Sequence, residues 1–146
     1  MPNEPMPASE VLDELDSQWN ASNVTEPNYI EVTGANDPVR FNLNRADYIV
    51  GRAGSPEIQE TPIANYKYGN RVYRVVLEVY TKDSRQRLYN LMREIRRICH
   101  ARVHSLTNFQ RITFNQFAED NSEQVNVWVG TVDIELVNNA VLLEIT

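Results

Sequence analysis

The chain has 146 residues, 42% of them apolar, and a net charge of −6, which fits one packed domain and excludes a disordered chain. Its single cysteine, Cys99, excludes an internal disulfide framework and a multi-cysteine zinc set. No apolar run approaches the roughly 18 residues of a membrane span. The amino end MPNEPMPASE has neither the basic start nor the apolar stretch of a signal peptide, so a soluble protein of a reducing compartment is expected.

Residues 1–8 hold three prolines and read as a flexible leader to a single domain over 9–146. Ser9 is placed to cap a first helix, whose Val11, Leu12, Leu15 and Trp19 form one apolar stripe ending near Asn20 to Asn23. Glu10, Asp13, Glu14 and Asp16 cover its remaining surface. From Val24 to Asn70 periodicity is weak, with short extended pieces expected at Tyr29–Val32 and Asp47–Arg52. The rest reads as a long irregular loop, with 53–70 an extended arm or long hairpin ordered mainly by contacts outside its own subunit, its aromatics Tyr66 and Tyr68 part of the interface.

Order returns at NRVYRVVLEVYT, where Tyr73, Val75, Leu77 and Val79 alternate with Arg74, Val76, Glu78 and Tyr80 as on a strand. Next, Leu88, Leu91, Met92, Ile95, Ile98 and Cys99 fall within about a third of a helix circumference, predicting a helix over 84–101 capped by Asp83 or Ser84. Two strands then flank the polar turn DNSE, the second apolar on both faces at Val125, Val127, Trp128 and Val129. That pattern predicts burial by a helix on one side and by another subunit on the other. Gly130 is a candidate bulge, and Asn138-Asn139 a turn into a last short strand. The element order describes an α+β domain, a mostly antiparallel β-sheet packed by two α-helices.

Catalytic and cofactor chemistry find no footing. His100 and His104 have a metal-ligand spacing but no third ligand, and Cys99 belongs to the apolar stripe. Asp133 and Glu135 share a strand face, as surface acids routinely do, and GRAGSP lacks the lysine and following helix of a phosphate loop. Neither a cofactor nor enzymatic activity is expected.

Charge is the informative feature. Seven of the fourteen Lys and Arg lie between Lys82 and Arg102 against only Asp83 and Glu94, so this piece carries +5 and the remainder −11. Three readings compete. A protein interface comes first, because arginine is favoured where carboxylates are held bidentately; a solvated face comes second. Nucleic-acid binding comes last, since an acidic surround repels a polyanion. The interface residues are then Arg85, Arg93, Arg96 and Arg97, with Glu10, Asp13, Glu14, Asp16, Glu119, Asp120 and Glu123 as candidate counter-charges.

The acidic first helix, the irregular region, YRVVLEVYTKDSR running into RLYNLMREIRRIC, and a hairpin ending in VWVGTVDIELV together resemble the tail terminator (tail completion) proteins of long-tailed viruses. The likeness covers roughly residues 9 to 145 and rests on element order. It implies a hexameric ring in the virion neck, assembled in the host cytoplasm, that caps the tail tube and docks the head connector. Its partners would be further copies of itself, tail-tube protein and connector, with neither membrane nor specific nucleic acid. Another connector or tube component is the alternative, and a small nucleic-acid-binding protein using 84–102 is the alternative from another class.

Overall fold

The computed structural model describes residues 3–32, 42–63, 67–120 and 127–143. In chain order these form helix α1 (Pro7–Gln18), strands β1 (Asn28–Glu31), β2 (Tyr48–Ile63) and β3 (Tyr68–Thr81), helix α2 (Arg85–Ala101), and strands β4 (Arg111–Asp120) and β5 (Trp128–Leu142). One five-stranded sheet runs β1-β2-β3-β5-β4; β1 is parallel to β2 and every other pair is antiparallel. The fold is thus α+β with a mostly antiparallel sheet.

Both helices lie on one face of the sheet. Tyr73, Val75, Leu77 and Val79 of β3 and Val132, Ile134 and Leu136 of β5 point into the core that α1 and α2 close with Val11, Leu15, Leu88, Leu91, Ile95 and Ile98. Along α2 the buried stripe is Leu88, Leu91, Ile95, Ile98 and Cys99, as the periodicity predicts, with Met92 half-buried at its margin. Ser84 provides the cap, its Oγ accepting from the Arg87 amide at 3.1 Å.

The opposite face has no second layer among the described residues. Val50, Val129 and Val137 are nonetheless buried there, beneath a ladder of long polar side chains. Arg52 pairs with Glu78, which also accepts from Tyr80; Arg74 reaches Glu135 at 3.6 Å, and Gln116 donates to Asp133 at 2.5 Å. Val129, on that face of β5, is thus largely buried within the chain. Val127 is half-buried and Trp128 37% exposed, while Val125 lies outside the described residues.

Several boundaries differ from expectation. Helix α1 starts at Pro7, whose fixed φ suits a first turn, rather than at a Ser9 cap. The leader is not wholly detached either, because Tyr73 Oη donates to Glu4 at 2.9 Å. The long irregular loop is largely strand. Residues 53–63 continue β2 and 68–70 begin β3, paired from Ile58–Tyr73 to Ile63–Tyr68 after a register shift past Ala53. Lack of alternation hid this strand, since its outer part is exposed on both faces and hydrogen bonds to β3 hold it. Tyr66 and residues 33–41 lie outside the described residues.

Gly130 does not bulge; it keeps regular register, and a Cβ there would collide with the Phe117 ring. The bulge is at Asn115. Asn138 and Asn139 do not end β5, which runs on to Leu142 through an irregularity where Ala140 adopts φ 55°. Amide side chains hold that irregularity. Asn138 Oδ1 accepts from the Gln110 amide at 2.8 Å, and Asn70 Oδ1 from the Ala140 amide at 3.0 Å.

At Gly54 β2 lies close against β3, and an added Cβ would stand 2.5 Å from Arg74 Cβ and 3.0 Å from its carbonyl carbon. Backbone cannot yield as a side-chain tip can. Gly54→Ala is expected to lower stability by about 1–3 kcal/mol in urea denaturation, an overpacking cost.

Candidate functional site: the outer face of the second helix

Most of the basic charge on and around α2 is spent inside the chain. Asp47, at the entrance to β2, is only 7% exposed; it accepts from Arg87 Nε at 2.6 Å and from Thr81 Oγ1 at 2.7 Å. Those contacts join the ends of β2 and β3 to the first turn of α2. Arg85 forms an ion pair with Glu119 of β4 at 2.9 Å, and Tyr89 Oη donates to the same carboxylate at 2.9 Å. The Tyr89 ring stands edge-on to Phe117. Arg102 reaches Glu14 of α1 at 2.5 Å, and Lys82 donates to Asn44.

Glu94 sits among the apolar residues of the stripe and is 5% exposed. Its carboxylate receives Arg97 Nε at 2.6 Å, Arg97 Nη2 at 2.9 Å and the Asn20 amide at 2.6 Å. Arg97 Nη2 also donates to the Gln18 carbonyl at 2.8 Å, clasping the end of α1. Burial alone would raise the Glu94 pKa. The bonds from Arg97 and Asn20 outweigh it and hold the carboxyl below its ordinary range.

Two arginines remain. Arg93 and Arg96 are exposed, and among the described residues no acid lies within ion-pair distance of either. With Arg97, His100 and Ala101 they line an open depression of about 490 Å³. Spacings of three, four and seven residues put Arg93, Arg96, Arg97 and His100 on one cationic stripe.

Of the seven candidate counter-charges, Glu14 and Glu119 are consumed within the chain and Glu10 accepts from Asn108. Glu123 lies outside the described residues, and Asp120, at the end of β4, has contacts within the chain. Asp13 and Asp16 are exposed, and no cation among the described residues pairs with them. Tyr68 is 49% exposed and lies in register between Ile63 and Leu142, also half-exposed, so the aromatic expected at the arm sits in an apolar row across three strands.

Other chemistry has little material. Among the described residues no three metal-ligating side chains converge, and His104 Nδ1 lies 3.1 Å from the Gln110 carbonyl. Burial pushes the Cys99 thiol up to about 12, far from a reactive thiolate. A cleft of about 460 Å³ on the open sheet face is lined by Arg74, Asp133 and Glu135, whose charged groups are already partnered. No described helix is long and apolar enough to cross a membrane. No protein-family model and no curated protein matches the chain, so the tail-terminator likeness rests on element order alone.

Charge reading from sequence alone missed the two buried carboxylates. Glu94 carried a signal, being an acid placed at i−1 and i−4 from Ile95 and Ile98 inside the apolar stripe. Asp47 carried none, because its partner Arg87 is 40 residues away.

Two predictions separate the arginines. Arg97→Gln should lower folding stability by about 1–3 kcal/mol because it strands the buried Glu94 carboxylate, and Glu94→Gln should lower it less because Arg97 is exposed, whereas Arg93→Gln and Arg96→Gln should each stay within about 0.5 kcal/mol. The pH dependence follows from the lowered Glu94 pKa. Its contribution is fully present above the unfolded-state value near 4.5 and is lost as pH falls through the lower folded value. Chemical denaturation between pH 7 and 3 should therefore show a loss of stability in wild type that is smaller in Glu94→Gln.

Proposed function

We propose that the chain is a virion structural protein of the neck or tail, one that joins copies of itself into a ring, caps a tail tube and docks it to the head connector. The observation that carries this reading is the cationic stripe of Arg93, Arg96 and His100. It is left over after the chain has neutralised its other α2 arginines, on a molecule whose remainder is strongly acidic. Unlike patches on one chain suit a head-to-tail contact, the kind that closes rings.

The sheet edges also favour assembly through side chains. Pro56 and Pro62 interrupt the donor pattern along the outer part of β2. On the other edge the Ile112 amide of β4 is taken by the Val103 carbonyl at 2.9 Å, and Asn115 bulges the strand. A hexamer is the ring the tail-terminator resemblance implies, and no catalytic residue is part of the reading. Another neck or tube component would share the assembly and differ in its neighbours. Nucleic acid along the stripe is disfavoured by the surrounding acids.

Sedimentation and native mass should find a closed ring of about six copies, and adding it to polymerising tail-tube protein should stop growth. Arg93→Gln/Arg96→Gln should fold as wild type yet fail to assemble, a loss on the order of 1–3 kcal/mol per charged pair at the contact. A variant that assembles and caps normally at physiological salt would reduce the stripe to a solvated face. Selective loss of binding to duplex DNA, with assembly intact, would favour the nucleic-acid reading.

A further inference from the structure

Which acids the stripe meets can be read from the flanks of the helix layer. Helix α1 packs over β1, β2 and β3, and α2 over β3, β5 and β4, so the two helices occupy opposite sides of that layer. Arg96 lies two turns after Tyr89, the residue that contacts Phe117 and Glu119 of β4, and so faces the β4 flank, while Arg93 borders a depression it shares with residues 20–23 after α1. On α1, Glu14 is directed toward α2 by Arg102 and Glu10 toward Asn108. Asp16 is directed the other way, toward the β1 flank, where it shares a hydrogen bond with Glu26, itself hydrogen-bonded to Tyr29 Oη at 3.2 Å.

That β1 flank carries unrelieved negative charge. Asp13, Asp16 and Glu26 are exposed, no basic residue occupies the last turn of α1, and no described cation pairs with any of the three. The bond with Asp16 pushes the Glu26 carboxyl above its ordinary range, as expected where two acids meet without a counter-ion. Asp13 and Asp16 repeat at three residues on α1, and Arg93 and Arg96 repeat at three on α2. Helices laid side by side bring such pairs into step.

We infer that the Asp13–Asp16–Glu26 flank of one copy docks against the Arg93–Arg96–His100 stripe of the next, head to tail. This rests on the ring reading and names its contact. Arg96 on the β4 side and Asp16 with Glu26 on the β1 side distinguish it from a two-fold dimer, because acids and arginines on opposite flanks engage two different neighbours.

Two charge-reversed chains test it. Asp13→Arg/Asp16→Arg carries two basic flanks and Arg93→Glu/Arg96→Glu two acidic ones, so neither should self-associate. The concentration needed for assembly should rise roughly a hundredfold for each alone. Mixed in equal amounts, each flank again faces its opposite, and a ring of alternating chains with an even number of copies should form. Far-UV circular dichroism and thermal melting of each variant serve as the folding control. Wild type assembling while either variant alone does so equally well, or while the mixture fails, overturns this contact and leaves the ring reading standing. A mixture that stops at a one-to-one dimer overturns the head-to-tail geometry. Wild type remaining monomeric overturns both.

Discussion

Two carboxylates withdrawn from water govern how the layers of this molecule are joined. A buried ion costs several kcal/mol unless a partner compensates it at close range, and Asp47 and Glu94 both draw that partner from α2. Arg87 ties the first turn of α2 to the strand ends at Asp47 and Thr81, and the Arg97–Glu94 pair ties a later turn to the loop that leaves α1. A shift of one residue, or 100°, would separate Arg87 from Asp47 and carry the Glu94–Arg97 pair, which moves with the helix, away from the Asn20 amide and the Gln18 carbonyl. The basic character of α2 is thus in large part a device that sets its rotation and height on the sheet.

The same accounting isolates what remains for the outside world. Neutralised arginines are poor recruits for a partner, since breaking a satisfied pair returns little. Arg93 and Arg96 need no such exchange. Meanwhile the open sheet face is closed by its own polar ladder, and the two edges are blunted by Pro56 and Pro62 on one side and by Val103 and the Asn115 bulge on the other. Backbone addition being discouraged, the self-recognition we propose would fall to the helix layer, where like and unlike charge discriminates between docking modes.

Much of this fold was legible in the sequence where one face is wet and the other dry. The alternation from Tyr73 to Tyr80 and the stripe from Leu88 to Cys99 are direct records of burial, and both elements form where those patterns place them. The outer part of β2 left no such record, because RAGSPEIQETPI is exposed on both faces and its order comes from pairing. Nor could counting charges along the chain tell a partnered arginine from a free one. Arg85 and Glu119 are 34 residues apart and Arg102 and Glu14 are 88 apart, so the sequence showed an excess of +5 where, among the described residues, α2 keeps two arginines unmatched.

That reduction bears on the kind of assembly such a surface supports. On the proposed ring reading, pairs at the rim of the contact contribute about 0–1 kcal/mol each and those it encloses on the order of 1–3 kcal/mol, so two or three pairs between neighbours make a labile contact, readily reversed and sensitive to salt. In an open chain of copies every end would fray. Closure changes the balance, because the last contact forms between groups already tethered at high effective concentration, and a copy can leave a ring only by breaking two contacts together. Weak, directional, head-to-tail contacts therefore favour a closed ring over both the free chain and the open filament, provided the rotation per copy closes. On the proposed reading, a chain that buries its strong charge pairs inside each copy and keeps a few weak ones for its neighbours would form a ring late and reversibly, correcting misplaced neighbours before closure holds them.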